Sequence, residues 1–403
     1  MASPFKFVRD FIKLETSAGI ILFAAAVFAM AIDNSSLSAS YTHFFKIIIS
    51  VSIDKISLSK PLLHWINDGF MTIFFMLVGL EIKREMLEGE LNTVPKTMLP
   101  AIAAMGGMLV PALIYLFFNY QDANLIKGWA IPIPTDIAFS LGILSLLGSR
   151  IPASLKIFLT ALAIFDDIGA ILVIAVYYTA KISLTMLLIA SLLIIILILF
   201  NRFKVSNLSP YLFVGTLLWI CVLKSGVHAT LAGIIIALII PLKESGPNHY
   251  SPLRTLEKRL HPWVAYGILP LFAFANAGVS FAGVTIHHFL TAIPVGIALG
   301  LFLGKQIGIW GATMLSVMCG VAPLPKGITP LNLYGMSLIA GVGFTMSLFI
   351  GGLAFNGEYA AVIRLGVIIG SVISGVLGYF VLNLIHLKTK NLGAPYARNS
   401  HSS

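Results

Sequence analysis

Two adjacent aspartates, Asp166 and Asp167, interrupt an apolar run that extends from Ile157 to Tyr178. As a helix the run spans roughly 33 Å at 1.5 Å per residue, about one bilayer core, and the pair falls near its middle. One ionised carboxylate at that depth costs between ~3 and more than ~10 kcal/mol. Two of them require cations, protons or both as company. Consecutive helical residues point roughly 100° apart, so the pair cannot share one face. One aspartate can meet a cation on a neighbouring helix while the other faces a water-filled cavity. Carboxylate, hydroxyl and carbonyl oxygens suit a hard cation, and two coupled carboxyls bind protons as a pair. Na⁺ and H⁺ can therefore compete for the same oxygens.

Other polar groups lie deep in apolar runs. Lys305 is the one deep lysine, near the middle of 291–315. Asp136 follows Pro132, Pro134 and Thr135 in the segment Ala130-Ile-Pro-Ile-Pro-Thr-Asp136. Two prolines two residues apart remove two backbone donors and clash with the preceding turn, so the helix should break here. Broken backbone at membrane depth survives only where it is buried in protein or lines a cavity. The freed carbonyls and amides then join Thr135 and Asp136 as site groups. The segment Leu338-Ile-Ala-Gly341-Val-Gly343-Phe-Thr-Met-Ser347 repeats the theme with glycines, which either unwind a helix or admit a close neighbour. Half-helix ends meeting at the midplane would form partial positive and negative poles. Asp136 could offset the first kind and Lys305 the second. Asp68 lies a third of the way into another apolar run and could reach the outer interface.

A third group is interfacial. Glu81, Arg84, Glu85 and Glu88 follow an i, i+3, i+4, i+7 spacing on one helical face. Glu257, Lys258, Arg259 and His261 lie across the last large inner loop. Together they read either as a charged cap or as a cytoplasmic ion funnel with a proton sensor. His228 titrates near neutrality if unperturbed.

The elements that must position these groups follow from hydropathy. The chain of 403 residues is 58% hydrophobic and 10% charged, against about 25% charged for a soluble domain. Its mean hydropathy is +0.96. The reading is an all-α polytopic membrane protein of about twelve spans: 14–32, 61–82, 97–118, 125–147, 155–178, 183–200, 208–222, 226–241, 259–280, 291–315, 331–355 and 361–386. With the N-terminus in the cytoplasm, 18 of the 26 Lys and Arg fall on the inner side and 7 on the outer, which places both termini in the cytoplasm. The net charge of +10 is thus topology and lipid contact, and no nucleic-acid surface is expected. The two cysteines, Cys221 and Cys319, give no disulfide framework or metal spacing.

Spans three to five (about 97–178) and ten to twelve (about 291–386) start seven spans apart, hence on opposite sides of the membrane. That is an inverted-topology repeat, with an interrupted span at the centre of each half. Such a pair of interrupted spans points to a transport site. Residues 49–59 alternate polar and apolar around Asp54-Lys55, a β-hairpin pattern in the first outer loop. An isolated hairpin is marginal and would gain by pairing in a homodimer. Residues 1–390 read as one transmembrane domain and 391–403 as a disordered cytoplasmic tail.

The motifs His64-Trp-Ile-Asn-Asp68-Gly, Phe74-Phe-Met-Leu-Val-Gly-Leu-Glu81-Ile-Lys-Arg84-Glu85, Pro132-Ile-Pro134-Thr135-Asp136-Ile-Ala, Ala163-Ile-Phe-Asp166-Asp167-Ile-Gly and Ala340-Gly-Val-Gly-Phe-Thr-Met-Ser347 resemble, in order and spacing, the NhaA family of bacterial Na⁺/H⁺ antiporters. The resemblance runs from about residue 12 to 386. Inverted repeats are documented for that family, so the repeat reading and the resemblance are not independent. The resemblance implies an inner-membrane protein, not an enzyme, exchanging Na⁺ or Li⁺ for H⁺ without a cofactor. It implies that Asp166 and Asp167 bind the transported ion, that Lys305 pairs with Asp166, and that Thr135 and Asp136 belong to the fourth of two crossed, discontinuous helices, the eleventh being the other. Glu81, Arg84, Glu85, Glu257, His261 and His228 match positions linked to pH activation, and the hairpin matches a dimer contact. Lys258 stands where a family reference has histidine, which weakens a two-histidine sensor. A proton- or sodium-coupled transporter of an organic solute is the alternative at this stage.

Overall fold

The computed structural model describes residues 4–53, 56–89, 91–179, 182–242, 251–281, 285–355 and 359–391. The chain is mostly helical, with one small sheet. Helix α1 (Pro4–Asp33) is followed by a short α2 (Ser38–Lys46) turned 113° from it. Strands β1 (Ile48–Ile53) and β2 (Ile56–Pro61) pair antiparallel, with Ser50 opposite Ser59 and Val51 opposite Leu58. The alternating sequence thus forms the hairpin; its turn, 54–55, lies outside the described residues. Ile48 and Val51 are exposed on it.

Next come α3 (Leu62–Glu88) and α4 (Val94–Asn119). A short 3₁₀ turn, Leu125–Ala130, precedes α5 (Ile137–Leu146). Then follow α6 (Ala153–Tyr177), α7 (Leu184–Arg202), α8 (Leu208–Ser225) and α9 (Thr230–Ile239). Helix α10 covers 252–276 and α11 is a single turn, Ile286–Phe289. Helix α12 (Ala292–Met318) contains π turns, and α13 (Pro330–Ile339) and α14 (Phe344–Phe355) meet at 48°. Helix α15 (Ala360–Asn391) ends the described chain. Asn391 is therefore helical, and the expected tail beyond it, 392–403, lies outside the described residues.

Among the described residues seven helices are long and apolar enough to cross a membrane, or up to nine if each bent pair counts as one span. That is fewer than the twelve apolar runs. The fourth run is only partly helical, and the eighth yields a helix of 10 residues, about half a bilayer core in length.

Close backbone approach organises the packing. On α4 and α12, Gly106 and Gly308 face each other, and a Cβ on either would run into the other's carbonyl. Gly304 lies against Pro111 of α4 and Gly300 against Pro132. A second seam joins α3 to α9, where Gly79 meets Ala237 and Gly233 meets the carbonyl of Thr72. Small residues at such crossings let backbones touch, which is how apolar helices gain packing energy where lipid offers no hydrophobic drive.

Candidate functional site

Residues 131–136 are non-helical, as are 342–343 after a turn at 340–341. Pro132 and Pro134 cannot donate, so the backbone seeks partners elsewhere. The Asp136 amide finds one in the Val342 carbonyl at 2.7 Å, and the two irregular segments are thereby joined to each other. Glycine matters at 341 and 343 for space: a Cβ at Gly341 would meet Leu301 and Ser374, and one at Gly343 would meet Ser347 and Leu301.

Asp136 is 2% exposed and sits between two helix N-termini. Its Oδ1 accepts from the Phe139 amide of α5 at 3.0 Å. Its Oδ2 accepts from the Thr345 amide of α14 at 3.0 Å and from the Thr345 hydroxyl at 2.6 Å. Both positive helix ends thus share one carboxylate, the favourable arrangement for an N-cap. The pole reading holds for Asp136. For Lys305 it needs correction, because the carbonyls at the end of α13 are met by hydroxyls. Thr135 reaches Ala340 at 2.9 Å and Ser140 reaches Ile339 at 3.2 Å.

Lys305 is instead bound to Asp166. Both side chains are fully buried, and Nζ donates to Oδ2 at 2.5 Å. The Thr135 hydroxyl lies 2.6 Å from the same Oδ2. A hydroxyl has one proton, so Thr135 cannot donate to Asp166 and Ala340 together. With Asp166 ionised, Thr135 serves one acceptor at a time. With a proton on Oδ2, Thr135 can accept it and pass its own to Ala340. The same geometry thus accommodates either protonation state. Asp167 lies within electrostatic reach of Lys305, and its buried Oδ1 has no hydrogen-bond partner, as is also true of Asp166 Oδ1. Asp167 lines a cavity that holds about one water-sized particle, together with Asp136, Thr345, Phe74 and Leu269. No three His, Cys, Asp or Glu side chains among the described residues gather as a resident metal centre.

At the far end of α3, Arg84 Nε donates to Glu257 at 2.9 Å and its NH1 pairs with Glu85 at 2.7 Å. Arg254 pairs with Glu88, and Glu81 lies within electrostatic reach of Glu257, Arg84 and Glu85. His261 follows one turn after Glu257 on α10. Burial pushes the Glu257 carboxyl up, and the adjacent Arg84 pulls it back down. The charged face and the inner-loop charges are thus one cluster. His228 does not join it. Its Nδ1 lies 2.7 Å from the Thr230 hydroxyl and its Nε2 3.8 Å from Asp68. Asp68 and Arg84 are sixteen residues apart along α3, roughly 24 Å. His228 and Asp68 share a cavity of about 470 Å³ with Lys60, Asn67 and Arg364.

The sequence reading missed Thr345 as a ligand of Asp136. It also missed Lys83, whose ammonium donates to the Leu238 and Ile240 carbonyls at 2.7 and 2.6 Å. Thr345 two residues after Gly343 was the available signal.

The sequence pattern of the family described as Na⁺/H⁺ antiporter 1 matches residues 9–382. A Rhodospirillum rubrum protein named Na(+)/H(+) antiporter NhaA is 54% identical over 94% of this chain and 98% of its own length. Proteins of the same name from Psychrobacter cryohalolentis and Proteus mirabilis are 53% and 51% identical, over 93% and 95% of this chain and 94% and 98% of theirs. With the buried Asp166–Lys305 pair and the joined irregular segments in place, the chain belongs to the Na⁺/H⁺ antiporter 1 family.

Proposed function

We propose that this chain is a pH-regulated, electrogenic antiporter of the bacterial inner membrane that exports Na⁺, or Li⁺, in exchange for H⁺ by alternating access. The observation that carries the reading is the fully buried Lys305–Asp166 pair beside Asp167, whose Oδ1 is unpartnered and whose side chain lines a small cavity with Asp136, Thr135 and Thr345. In this scheme Asp167 is the main cation ligand, and Asp166 alternates between Lys305 and a proton. Two protons against one Na⁺ make turnover electrogenic. The charged cluster of Glu81, Arg84, Glu85, Glu257 and His261 forms the cytoplasmic mouth and senses pH, while Asp68 and His228 belong to the opposite cavity.

The same reading takes residues 1–390 as one transmembrane domain of twelve spans, with inverted repeats at about 97–178 and 291–386 and both termini cytoplasmic. The segments around 131–136 and 340–343 are then the breaks in two discontinuous, crossing helices. The exposed apolar side chains of the hairpin suit a homodimer contact, and basic residues at the inner face suit anionic lipid. Relatives named as Na⁺/H⁺ antiporters over nearly the whole chain favour ion exchange over coupled transport of an organic solute.

The test is Na⁺- and Li⁺-induced dequenching of a pH-sensitive dye in everted membrane vesicles with no organic substrate present. Wild-type protein is expected to move protons on cation addition. Asp167→Asn, which keeps the shape of the side chain and removes its charge, is expected to abolish the signal. Normal ΔpH-driven Na⁺ uptake by that variant would overturn the assignment of Asp167.

A further inference from the structure

We infer that Gln306 and Tyr334 are positioning residues of the ion site, holding Lys305 on Asp166 through a chain of hydrogen bonds and helix contacts. The inference rests on the exchange reading above and adds two residues to it.

Helix α12 leaves α-geometry on both sides of Lys305, with π turns at Gly300–Gly304 and Gln306–Trp310. Such turns are rare and cluster at functional sites. A widened turn holds its side chains less firmly, so the direction of Lys305 depends on what grips α12 from the side. Towards α4 the grip is backbone on backbone, Gly304 on Pro111 and Gly308 on Gly106. That sets how near the helices lie. Towards α13 the grip is polar. Gln306 is 7% exposed. Its Oε1 accepts from the Tyr334 hydroxyl at 2.8 Å, and its Nε2 donates to the Phe302 carbonyl at 2.7 Å. One turn on, the Trp310 indole donates to the Pro330 carbonyl at 3.0 Å. The two links, 306 to 334 and 310 to 330, are spaced four residues apart on each helix and run antiparallel. They fasten one face of α13 to α12.

The turn following α13 carries the Ala340 carbonyl that meets Thr135. Thr135 touches Asp166 Oδ2, and Asp166 holds Lys305. The chain of contacts runs Gln306, Tyr334, α13, Ala340, Thr135, Asp166, Lys305 and returns to α12, with the Thr135 hydroxyl touching both Ala340 and Asp166 while donating to one of them at a time. A slip at any link is felt at the ion pair. The charged groups around Lys305 are Asp166 and Asp167 of α6, with Asp136 and Glu81 acting in turn on Asp167. Helix α13 brings Tyr334 as its one titratable side chain, and α4 brings Gly107 close to the ammonium.

The experiment uses the full-length chain in proteoliposomes, with Na⁺ KM, maximal rate and pH profile measured for wild type, Tyr334→Phe, Gln306→Met and the double variant. Loosening Lys305 lets Na⁺ meet less competition at Asp166. Tyr334→Phe is expected to lower the apparent KM for Na⁺ by about 2- to 5-fold on the acidic limb, with the maximal rate nearly unchanged. The pH of half-maximal exchange is expected to move down by about half a unit, the scale of one neutral hydrogen bond. The double variant should shift no further than either single one. Should Tyr334→Phe fail to insert, Gln306→Asn reads the same bond, since it keeps the amide and shortens its reach. An unchanged KM and pH profile, or a lower maximal rate with both unchanged, would mark the link as ordinary helix packing and overturn the inference. Wild-type protein inert towards Na⁺ would instead refute the exchange reading.

Discussion

The buried pair gives a prediction whose size and sign both follow from the structure. Lys305 and Asp166 are each 0% exposed and meet at 2.5 Å. Removing one partner of such a pair leaves a buried charge uncompensated, which costs about 3–5 kcal/mol, whereas removing both is often neutral. Lys305→Met and Asp166→Asn should therefore each destabilise the protein strongly. The double variant should recover most of the loss, giving a coupling of roughly 6–10 kcal/mol in a double-mutant cycle, the sum of the two single losses less that of the double. Thermal unfolding of the purified protein in detergent, followed by tryptophan fluorescence, should show each single variant melting on the order of 5 °C lower at neutral pH. The two deficits should respond oppositely to pH. In Lys305→Met the stranded group is a carboxyl, and protonating it removes the charge, so the deficit narrows as pH falls. In Asp166→Asn the stranded group is an ammonium, and the deficit narrows as pH rises. Strictly additive losses, or two deficits with the same pH dependence, would refute the argument that this is an ion pair held by mutual compensation.

The backbone seam gives a steric prediction. Gly308→Ala places a methyl against the Gly106 carbonyl, which is backbone and cannot turn aside. A loss of about 1–3 kcal/mol is expected, read as a lower unfolding temperature and reduced Na⁺ exchange, and an unaffected variant would mean that α4 and α12 part easily. The cytoplasmic cluster gives a pH prediction. Burial favours the protonated form of Glu257 and Arg84 opposes it, so Arg84→Gln lets Glu257 keep its proton to higher pH. If the ionised cluster admits the cation, the pH profile of exchange should move about one unit to the alkaline side, and a profile that stays in place or moves to acid would break that link.

Much of this architecture is legible because the membrane penalises polarity so heavily. Asp136, Asp166, Asp167 and Lys305 stand out in apolar runs, and all four are nearly or fully buried in the structure. Pro132 and Pro134 mark a break by their chemistry alone, and 131–136 is non-helical. The alternation on either side of 54–55 forms two antiparallel strands, with Ile49 opposite Lys60. What is not legible is which polar group meets which. Lys305 could have faced helix carbonyls or either aspartate. The choice of Asp166 depends on the rotation of α12 at its π turns, and π geometry leaves no periodicity in a run such as Gly-Leu-Phe-Leu-Gly-Lys-Gln-Ile-Gly-Ile-Trp. His228 was misplaced for a similar reason. Its residue type suggests titration, but only the fold shows that α9 starts beside Asp68, at the opposite end of α3 from Glu81.

The division between the two neighbouring aspartates follows from the same rotation. Asp166 Oδ2 is occupied by an ammonium and a hydroxyl, so a cation approaching it must displace a charge already present. Asp167 Oδ1 is buried without a hydrogen-bond partner, and the side chain lines the cavity shared with Asp136 and Thr345. The Asp136 oxygens are already taken by two helix N-termini and a hydroxyl, so among these three carboxyls the one with spare acceptor capacity towards the cavity is Asp167. A hard cation needs several oxygens at once, and Asp167 alone cannot satisfy it. On the proposed reading Asp166 is its second carboxylate, and a pull on Asp166 would loosen Lys305. On the proposed exchange reading, binding of Na⁺ and the hold on the lysine's proton would be opposed through a single carboxylate.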